Sequence, residues 1–406
     1  MRRGGTLVTL FGAVFLFMFA DTLLQTVLPV TLKDTGAASA GLIGLLVALP
    51  QGIGFITALP AAAAGDTRGR ARIASRAACV AALVSLAAVA AAGRPAAWWL
   101  FPVLGIGLTR LVVWTSTLAA VAEAGHPHVM QGLNGATQRG AAAVAAVAAA
   151  LVVGRQAWSS AYIGIAVSYA LLVPLSLVAL RRAGDGEGAV TGDGAVAGGD
   201  RFPPPARSYQ FAAEALASET AMRASALVGV CSVTVMTLGS SFFALTQDGS
   251  PRKVAGALAV LLLTRDVTSI AVGPLLPPAL RRLGIGGTVV LAAACGAAGV
   301  AALTVPGPAW PVLAVAAMLQ GASICLCIGC TNLLAVGYRG SRAAGPGLRI
   351  ASSNLGVCVG ALLLPVGMGA VLQHGGRTLL FAAAAAVIAV AGAGARWSIN
   401  PVRSVE

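Results

Sequence analysis

The sequence contains few charged residues for its length. Asp, Glu, Lys and Arg make up 10% of the 406 residues, whereas 58% of the residues are hydrophobic and the mean hydropathy is +0.87. About a quarter of the residues in a typical soluble domain are charged. The scarcity of charge therefore excludes a soluble globular protein and indicates an integral membrane protein.

The chain also has few of the side chains on which enzymes and metal sites depend. It contains three histidines, and its seven cysteines all lie in apolar runs. Cys327 and Cys330 form a C-x-x-C motif beside Cys325. Thiolates bind soft metals, but we interpret these three as small residues that pack between helices. With no catalytic cluster and no nucleotide-binding loop, the sequence predicts neither an enzyme nor a metal site, and it predicts no cofactor.

The positive charge is concentrated in short arginine blocks between apolar runs. The net charge is +14, but nucleic-acid-binding proteins carry such charge along one face, so we expect no nucleic-acid partner. The strongest block, GDTRGRARIASR, directly follows the apolar run that begins at Gly41. Short loops rich in Lys and Arg stay in the cytoplasm. If both termini are cytoplasmic, nineteen basic residues lie inside and six lie in outer loops. We therefore predict a multi-pass protein of the cytoplasmic membrane with that orientation.

The apolar runs predict twelve membrane-spanning helices. Each run is long enough to cross the roughly 30 Å hydrocarbon core. Six precede and six follow a polar, Gly- and Asp-rich segment that is typical of a linker, with a short surface helix possible at its end. At an offset of 215 residues, Gly41 falls on Gly256 and Gly69 on Gly284, and the helix boundaries follow the same offset. We predict an all-α membrane protein with two six-helix pseudo-repeats, residues 1–180 and 223–406, joined by a cytoplasmic linker at 181–222.

The basic turn carries a family resemblance. Asp66, Gly69, Arg70 and Arg72 resemble the loop signature G-x-x-x-D-R-x-G-R-R that lies between the second and third helices of major facilitator superfamily transporters. The resemblance implies two parallel six-helix repeats and a conformational gating role for these four residues. A glycine permits a tight reversal, and an aspartate can pair with arginines across a moving interface. Three positions depart from the signature: Ala62, Thr67 and Ala71.

Four charged residues lie deep within apolar helices and are candidates for proton coupling. Asp21, Arg110, Arg265 and Asp266 each fall near the middle of a predicted crossing. A charge at the bilayer centre costs several kcal/mol unless it has a partner or lines a wet cavity. A structural ion pair between the first and fourth helices is the alternative for Asp21 and Arg110. Since adjacent residues are about 100° apart on a helix, we expect one of Arg265 and Asp266 to face the cavity and the other a neighbouring helix, with Asp266 as the titratable residue.

The resemblance also implies which helices line a central cavity. Helices one, four, seven and ten do so in this superfamily, which makes polar and aromatic residues on them candidates for substrate binding, with bonds between helices as the alternative role. A cavity that is mostly apolar suits an amphipathic molecule better than a sugar. The candidates are Gln25, Trp114, Thr237, Phe242 and Gln320.

The function that we predict is secondary active transport by a monomer. Asp21 followed by Leu28 and Pro29 resembles a pattern common in bacterial drug/proton antiporter-type exporters, although the fifth helix lacks the Gly-Pro pair of the antiporter signature. The sequence favours proton-coupled efflux of a small amphipathic molecule. Proton-coupled uptake of a small metabolite and a membrane protein without transport activity are the alternatives.

Overall fold

The protein is helical throughout the part that the structure describes. This computed structural model describes residues 2–34, 36, 39–123, 127–184, 205–247, 250–305, 310–336 and 346–399. Short 3-10 or π turns lie at 96–99, 238–242, 273–275 and 302–304. The α-helices are α1 (Arg2–Asp34), α2 (Ala40–Gly52), α3 (Phe55–Arg68), α4 (Arg70–Ala91), α5 (Leu100–Glu123), α6 (Pro127–Arg155), α7 (Trp158–Gly184), α8 (Pro205–Ser218), α9 (Thr220–Thr237), α10 (Phe243–Leu245), α11 (Pro251–Val272), α12 (Leu276–Ala301), α13 (Trp310–Val336), α14 (Pro346–Ser353) and α15 (Leu355–Ile399).

The helices make twelve crossings. Ten continuous stretches in the described part of the chain are long and apolar enough to span a membrane, and two of them, Pro251–Thr304 and Ile350–Ile399, have 54 and 50 residues. A single crossing needs about 20 residues, so each long stretch crosses twice. Each reverses at a glycine with positive φ, Gly284 at 66° and Gly376 at 71°, a conformation that glycine adopts readily. The prediction of a twelve-helix, all-α membrane protein is confirmed.

Two apolar cores divide the bundle into halves. One core is built from α1, α2 and α4 to α7, within residues 10–180. The other is built chiefly from residues 224–399. Gly69 and Gly284, which the sequence repeat relates, both have positive φ, at 100° and 66°. The limits 1–180, 181–222 and 223–406 stay a prediction, because 185–204 lies outside the described residues.

Helix α8 joins the two halves near the end of the linker. The sequence predicted a short helix over 208–223, and the structure has Pro205–Ser218 followed by α9 from Thr220. The Tyr209 hydroxyl donates a hydrogen bond to the Ile56 carbonyl oxygen of α3. Ala212 packs in a small apolar cluster with Ala62 of α3 and Ala351 of α14. One turn of α8 therefore contacts a helix from each half.

Helices α2 and α15 approach each other closely at small residues. A Cβ atom on Gly44 would lie 2.2 Å from the carbonyl oxygen of Pro365, and one on Gly369 would lie 2.7 Å from the carbonyl oxygen of Ala40. The Gly41 amide also donates to the Gln373 side-chain oxygen at 3.3 Å. Glycine permits this close backbone contact. Its van der Waals packing stabilises the helix pair, because lipid provides no hydrophobic driving force for helix association. This contact is one of the main seams between the halves.

We expect Gly44→Ala to destabilise the protein. The added methyl group meets a backbone carbonyl that cannot rotate away, and overpacking of this kind costs about 1–3 kcal/mol. The measurement is the melting temperature of the purified protein in detergent.

Gly140→Ala is the matched control, since in the described part of the chain no atom beyond the neighbouring turns of its own helix lies within 4 Å of its added Cβ. This variant should melt at the parent temperature or slightly above it, because alanine favours a helix. Equal melting temperatures for Gly44→Ala and the parent would contradict the close contact.

Candidate functional site

The centre of the first half contains a buried ion pair. Asp21 lies in the middle of α1 and Arg110 in the middle of α5, and their side chains meet with Oδ1 and Nη2 2.6 Å apart. Gln25, one turn along α1, donates from Nε2 to the second carboxylate oxygen of Asp21 at 2.7 Å. Arg110 Nη1 donates to the carbonyl oxygen of Pro50 at 3.1 Å. Asp21 is 3% and Arg110 7% exposed, so each charge has a partner away from bulk water, as burial requires.

A second buried charge cluster joins the two halves. Arg265 and Asp266 of α11 contact each other through two hydrogen bonds, Nε to Oδ1 and Nη2 to Oδ2, both of 3.2 Å. Arg139 of α6 approaches the same Asp266 Oδ1 with Nη1 at 3.4 Å. All three side chains are at most 3% exposed. The cluster therefore links a helix of the first half to one of the second.

A cavity lies between the halves beside the first ion pair. It has a volume of about 140 Å³, which is smaller than the roughly 300–1,000 Å³ of typical small-molecule sites. Phe17 and Trp114 stack on its wall, with centroids 4.9 Å apart and planes 15° apart. The polar lining residues are Asp21, Gln25, Gln51, Arg110, Gln138, Arg139, Ser232, Thr331 and Asn354.

The structure places three of the predicted wall residues away from this cavity. The residues of α9 that line the cavity lie three or four positions apart, on one face of the helix: Gly229, Ser232 and Met236. After them comes the wider π turn Leu238–Phe242, which interrupts the α-helical periodicity. Phe242 and Thr237 are buried elsewhere, Phe242 in the core of the second half. Gln320 lies three turns before Thr331 on α13, about 16 Å along the helix axis. Its Nε2 donates to the Gly299 carbonyl oxygen at 3.2 Å.

The pair on α11 lies away from this cavity, and its role in proton coupling stays a prediction. Neither Arg265 nor Asp266 is among the residues that line the cavity. The Arg265 guanidinium folds back onto its neighbour, so Asp266 is enclosed by two arginines. Asp21, Gln25, Arg110 and Trp114, by contrast, do line the cavity, and their roles in proton coupling and substrate binding stay predictions.

Sequence reasoning also missed part of the lining. Gln51, Gln138, Arg139 and Asn354 stood out as polar residues in apolar helices, and that signal could have marked them as candidates. Met18, Ser232 and Cys358 carry no such signal, because their residue types are common between membrane helices. Helix α15 contributes Val357, Cys358 and Ala361, and Asn354 lies just before its first residue, although the resemblance pointed to other helices.

The predicted gating loop forms a tight reversal between α3 and α4. Gly69 has φ 100° and separates the two helices. The Arg70 side chain packs over Gly65, where an added Cβ would be 3.1 Å from Cγ of Arg70. Arg72 is exposed. The side chain of Asp66 lies outside the described residues, so its predicted pairing with arginines stays a prediction.

Known transporters share both sequence features and the fold of this chain. The sequence matches the family described as the Major Facilitator Superfamily over residues 10–346, and it matches no curated protein. The fold is similar to that of a POT family transporter solved in complex with a thioalcohol-conjugated peptide (TM-score 0.71, 12% identity, 98% of this chain and 96% of that chain covered). It is also similar to the nucleoside transporter NupG (0.67, 15%, 97% and 98%) and to the human organic anion transporter MFSD10 (0.62, 17%, 97% and 99%).

The family match covers most of the chain and includes the basic turn, both ion clusters and most of the cavity wall. It indicates a multi-pass membrane transporter of small molecules rather than an enzyme. The chain belongs to the Major Facilitator Superfamily.

Proposed function

We propose that this protein carries out proton-coupled secondary transport of a small amphipathic molecule by alternating access. The observation that carries the proposal is the ion pair between Asp21 and Arg110 at the wall of a cavity between two six-helix halves. A carboxylate that is both paired and within reach of a cavity can exchange a proton as its surroundings change. Rocking of the halves about the cavity exposes it to each side in turn.

Asp21 carries the exchanged proton in this proposal. Protonation removes the negative charge that Arg110 contacts at 2.6 Å, so it frees the guanidinium and changes the charge of the cavity wall. Release of the proton restores the pair, with Gln25 as a second partner. Each proton that moves inward contributes about 2.3 kcal/mol per 100 mV of membrane potential. Asp266, between two arginines, is the second candidate for the proton.

The cavity wall supports an amphipathic substrate. The Trp114 ring, which is stacked on the buried Phe17 ring, offers an apolar surface, and Met18 and Met236 add flexible apolar contacts. Polar groups are fewer and lie beside the charges. Such a wall binds a molecule with one apolar body and a small polar group.

The direction of transport has two candidates. In export, the proton and the substrate compete for the cavity, and the pattern of Asp21, Leu28 and Pro29 favours this direction. In uptake, they bind together. Helix α6 favours uptake, because it carries proline only at its first residue, Pro127, and lacks the Gly-Pro pair associated with antiport.

The loop between α3 and α4 is the proposed gate. Asp66, Gly69, Arg70 and Arg72 lie at one end of the bundle, where the tight reversal at Gly69 holds the two helix ends together. We place this end in the cytoplasm with both termini, in a monomer of the cytoplasmic membrane.

Asp21→Asn should abolish transport driven by a pH gradient while substrate binding is kept at least in part. The amide has the shape of the carboxyl group but cannot exchange a proton. The measurement is substrate flux into or out of liposomes that contain the purified protein, with the pH gradient imposed in each direction.

Glu214→Gln is the control, because Glu214 is an exposed carboxylate on α8, and this variant should transport as the parent does. Unchanged flux in Asp21→Asn would show that the proton binds at another residue, and Asp266 would be the next to test.

Arg110→Gln should lower the melting temperature, and the double variant Asp21→Asn, Arg110→Gln should recover most of the loss. Removing one partner leaves a buried charge unpaired, which costs about 3–5 kcal/mol, whereas neutralising both removes the penalty. Thermal unfolding of the three variants and the parent gives the coupling. Additive losses would show that the two side chains act independently.

Cysteines introduced as Glu214→Cys and Ser250→Cys should label from opposite sides of the membrane. Both positions are exposed, one on α8 and one before α11, and the predicted orientation places them inside and outside. The assay uses a membrane-impermeant maleimide on intact cells and a background without the seven native cysteines. Labelling of both from outside would overturn the orientation.

A further inference from the structure

The buried charges of the bundle do not balance. Among the described residues, the charged side chains that are buried are Arg110, Arg139, Arg265, Asp21 and Asp266. Three guanidinium groups thus face two carboxylates, and one positive charge is left over. A buried charge without a partner costs several kcal/mol, so this excess points to a missing negative group.

The excess resides on Arg139. Asp266 already accepts two hydrogen bonds of 3.2 Å from Arg265, one on each oxygen. Arg139 shares one of those oxygens at the longer distance of 3.4 Å. Its buried Nε has no hydrogen-bond acceptor among the described residues, as is also true of Arg110 Nε and Arg265 Nη1. Arg139 therefore makes a single and longer contact to Asp266, whereas Arg265 makes two shorter ones.

Arg139 is also the member of this cluster that reaches the cavity. It lines the cavity wall, whereas Arg265 and Asp266 do not. Among the described residues, the charged ones that line the cavity are Asp21, Arg110 and Arg139. Because the first two neutralise each other, these three leave one net positive charge on the wall. The alternative is that Arg139 only links the two halves through its contact with Asp266. That role would not account for the net positive charge on the cavity wall.

We propose that the transported molecule carries an anionic group that pairs with Arg139. Its apolar, planar body would lie against the Trp114 ring, which Phe17 supports from behind. A guanidinium is suited to a carboxylate, sulfonate or phosphate. This inference rests on the proposed transport through the cavity and adds the charge of the substrate.

An anionic substrate also fixes the sign of the coupling. Ionised Asp21 repels an anion in the same cavity, and protonation of Asp21 removes that repulsion. Proton and anion therefore bind together, which is the relation that uptake with a proton requires. The charge balance thus selects uptake between the two directions.

Binding of three matched probes tests the charge of the ligand. Naphthalene-2-sulfonate, naphthalene-2-sulfonamide and 2-naphthylmethylammonium share one ring system and differ in charge. Calorimetry on the full-length protein in nanodiscs of neutral lipid, without a gradient, should show the sulfonate binding about tenfold or more tightly than the other two. Equal affinities, a preference for the ammonium probe or no measurable sulfonate binding would overturn the proposal.

Two substitutions locate the contact. Arg139→Gln should weaken sulfonate binding about tenfold and leave sulfonamide binding unchanged, and Arg139→Lys should retain most of the affinity. Arg265→Gln is the matched control, because it removes the same charge from a residue that does not line the cavity, and its loss should be smaller. Equal losses in Arg139→Gln and Arg265→Gln would contradict a contact at Arg139.

The pH dependence separates this inference from the proposed function. Sulfonate binding should tighten as the pH falls, and Asp21→Asn should bind tightly at every pH. Weaker binding at low pH would overturn the joint binding of proton and anion. Because the probes bind without a gradient, a protein that binds sulfonate through Arg139 but shows no pH-driven flux of it would contradict proton-coupled transport and leave the anion site standing.

Discussion

The pairing of buried charge is the constraint on which this structure depends. Asp21 and Arg110 stand near the middle of two apolar helices, where neither charge is tolerable alone, and their contact of 2.6 Å fixes how α1 and α5 lie against each other. The backbone carbonyl of Pro50 brings α2 into the same arrangement. Arg139 and Asp266 do the same for α6 and α11, across the two halves. Lipid alone would not fix the positions of these helices relative to one another. The ion pairs fix the register of α1 against α5 and of α6 against α11 around the cavity.

Composition and periodicity predicted most of the fold, because a membrane imposes simple rules on length and polarity. The twelve crossings, the reversals at Gly69 and Gly284 and the cavity position of Asp21 and Arg110 all follow from such rules and from the family resemblance. Contacts between helices far apart in sequence could not be predicted in this way. The proximity of Arg139 to Asp266 depends on α6 lying beside α11, and the burial of Gln320 and Phe242 depends on where the cavity ends along α13 and α9.

Small side chains determine where the halves meet. Gly44 and Gly369 allow α2 and α15 to touch through their backbones, while the larger aromatic residues Phe17 and Trp114 stand at the cavity. The same distribution explains why the sequence is rich in alanine and glycine yet leaves a site for a ligand. The helices pack closely where their side chains are small. They remain apart where aromatic and charged side chains line the cavity.

The contacts of α8 on both sides of the bundle change what the linker does. A flexible tether would keep the halves near each other and have no preference among their relative positions. A helix that contacts α3 through Tyr209 and α14 through Ala212 must give up part of that surface whenever these two elements separate. If the halves rock as proposed, α8 therefore favours the orientation in which both of these contacts are made.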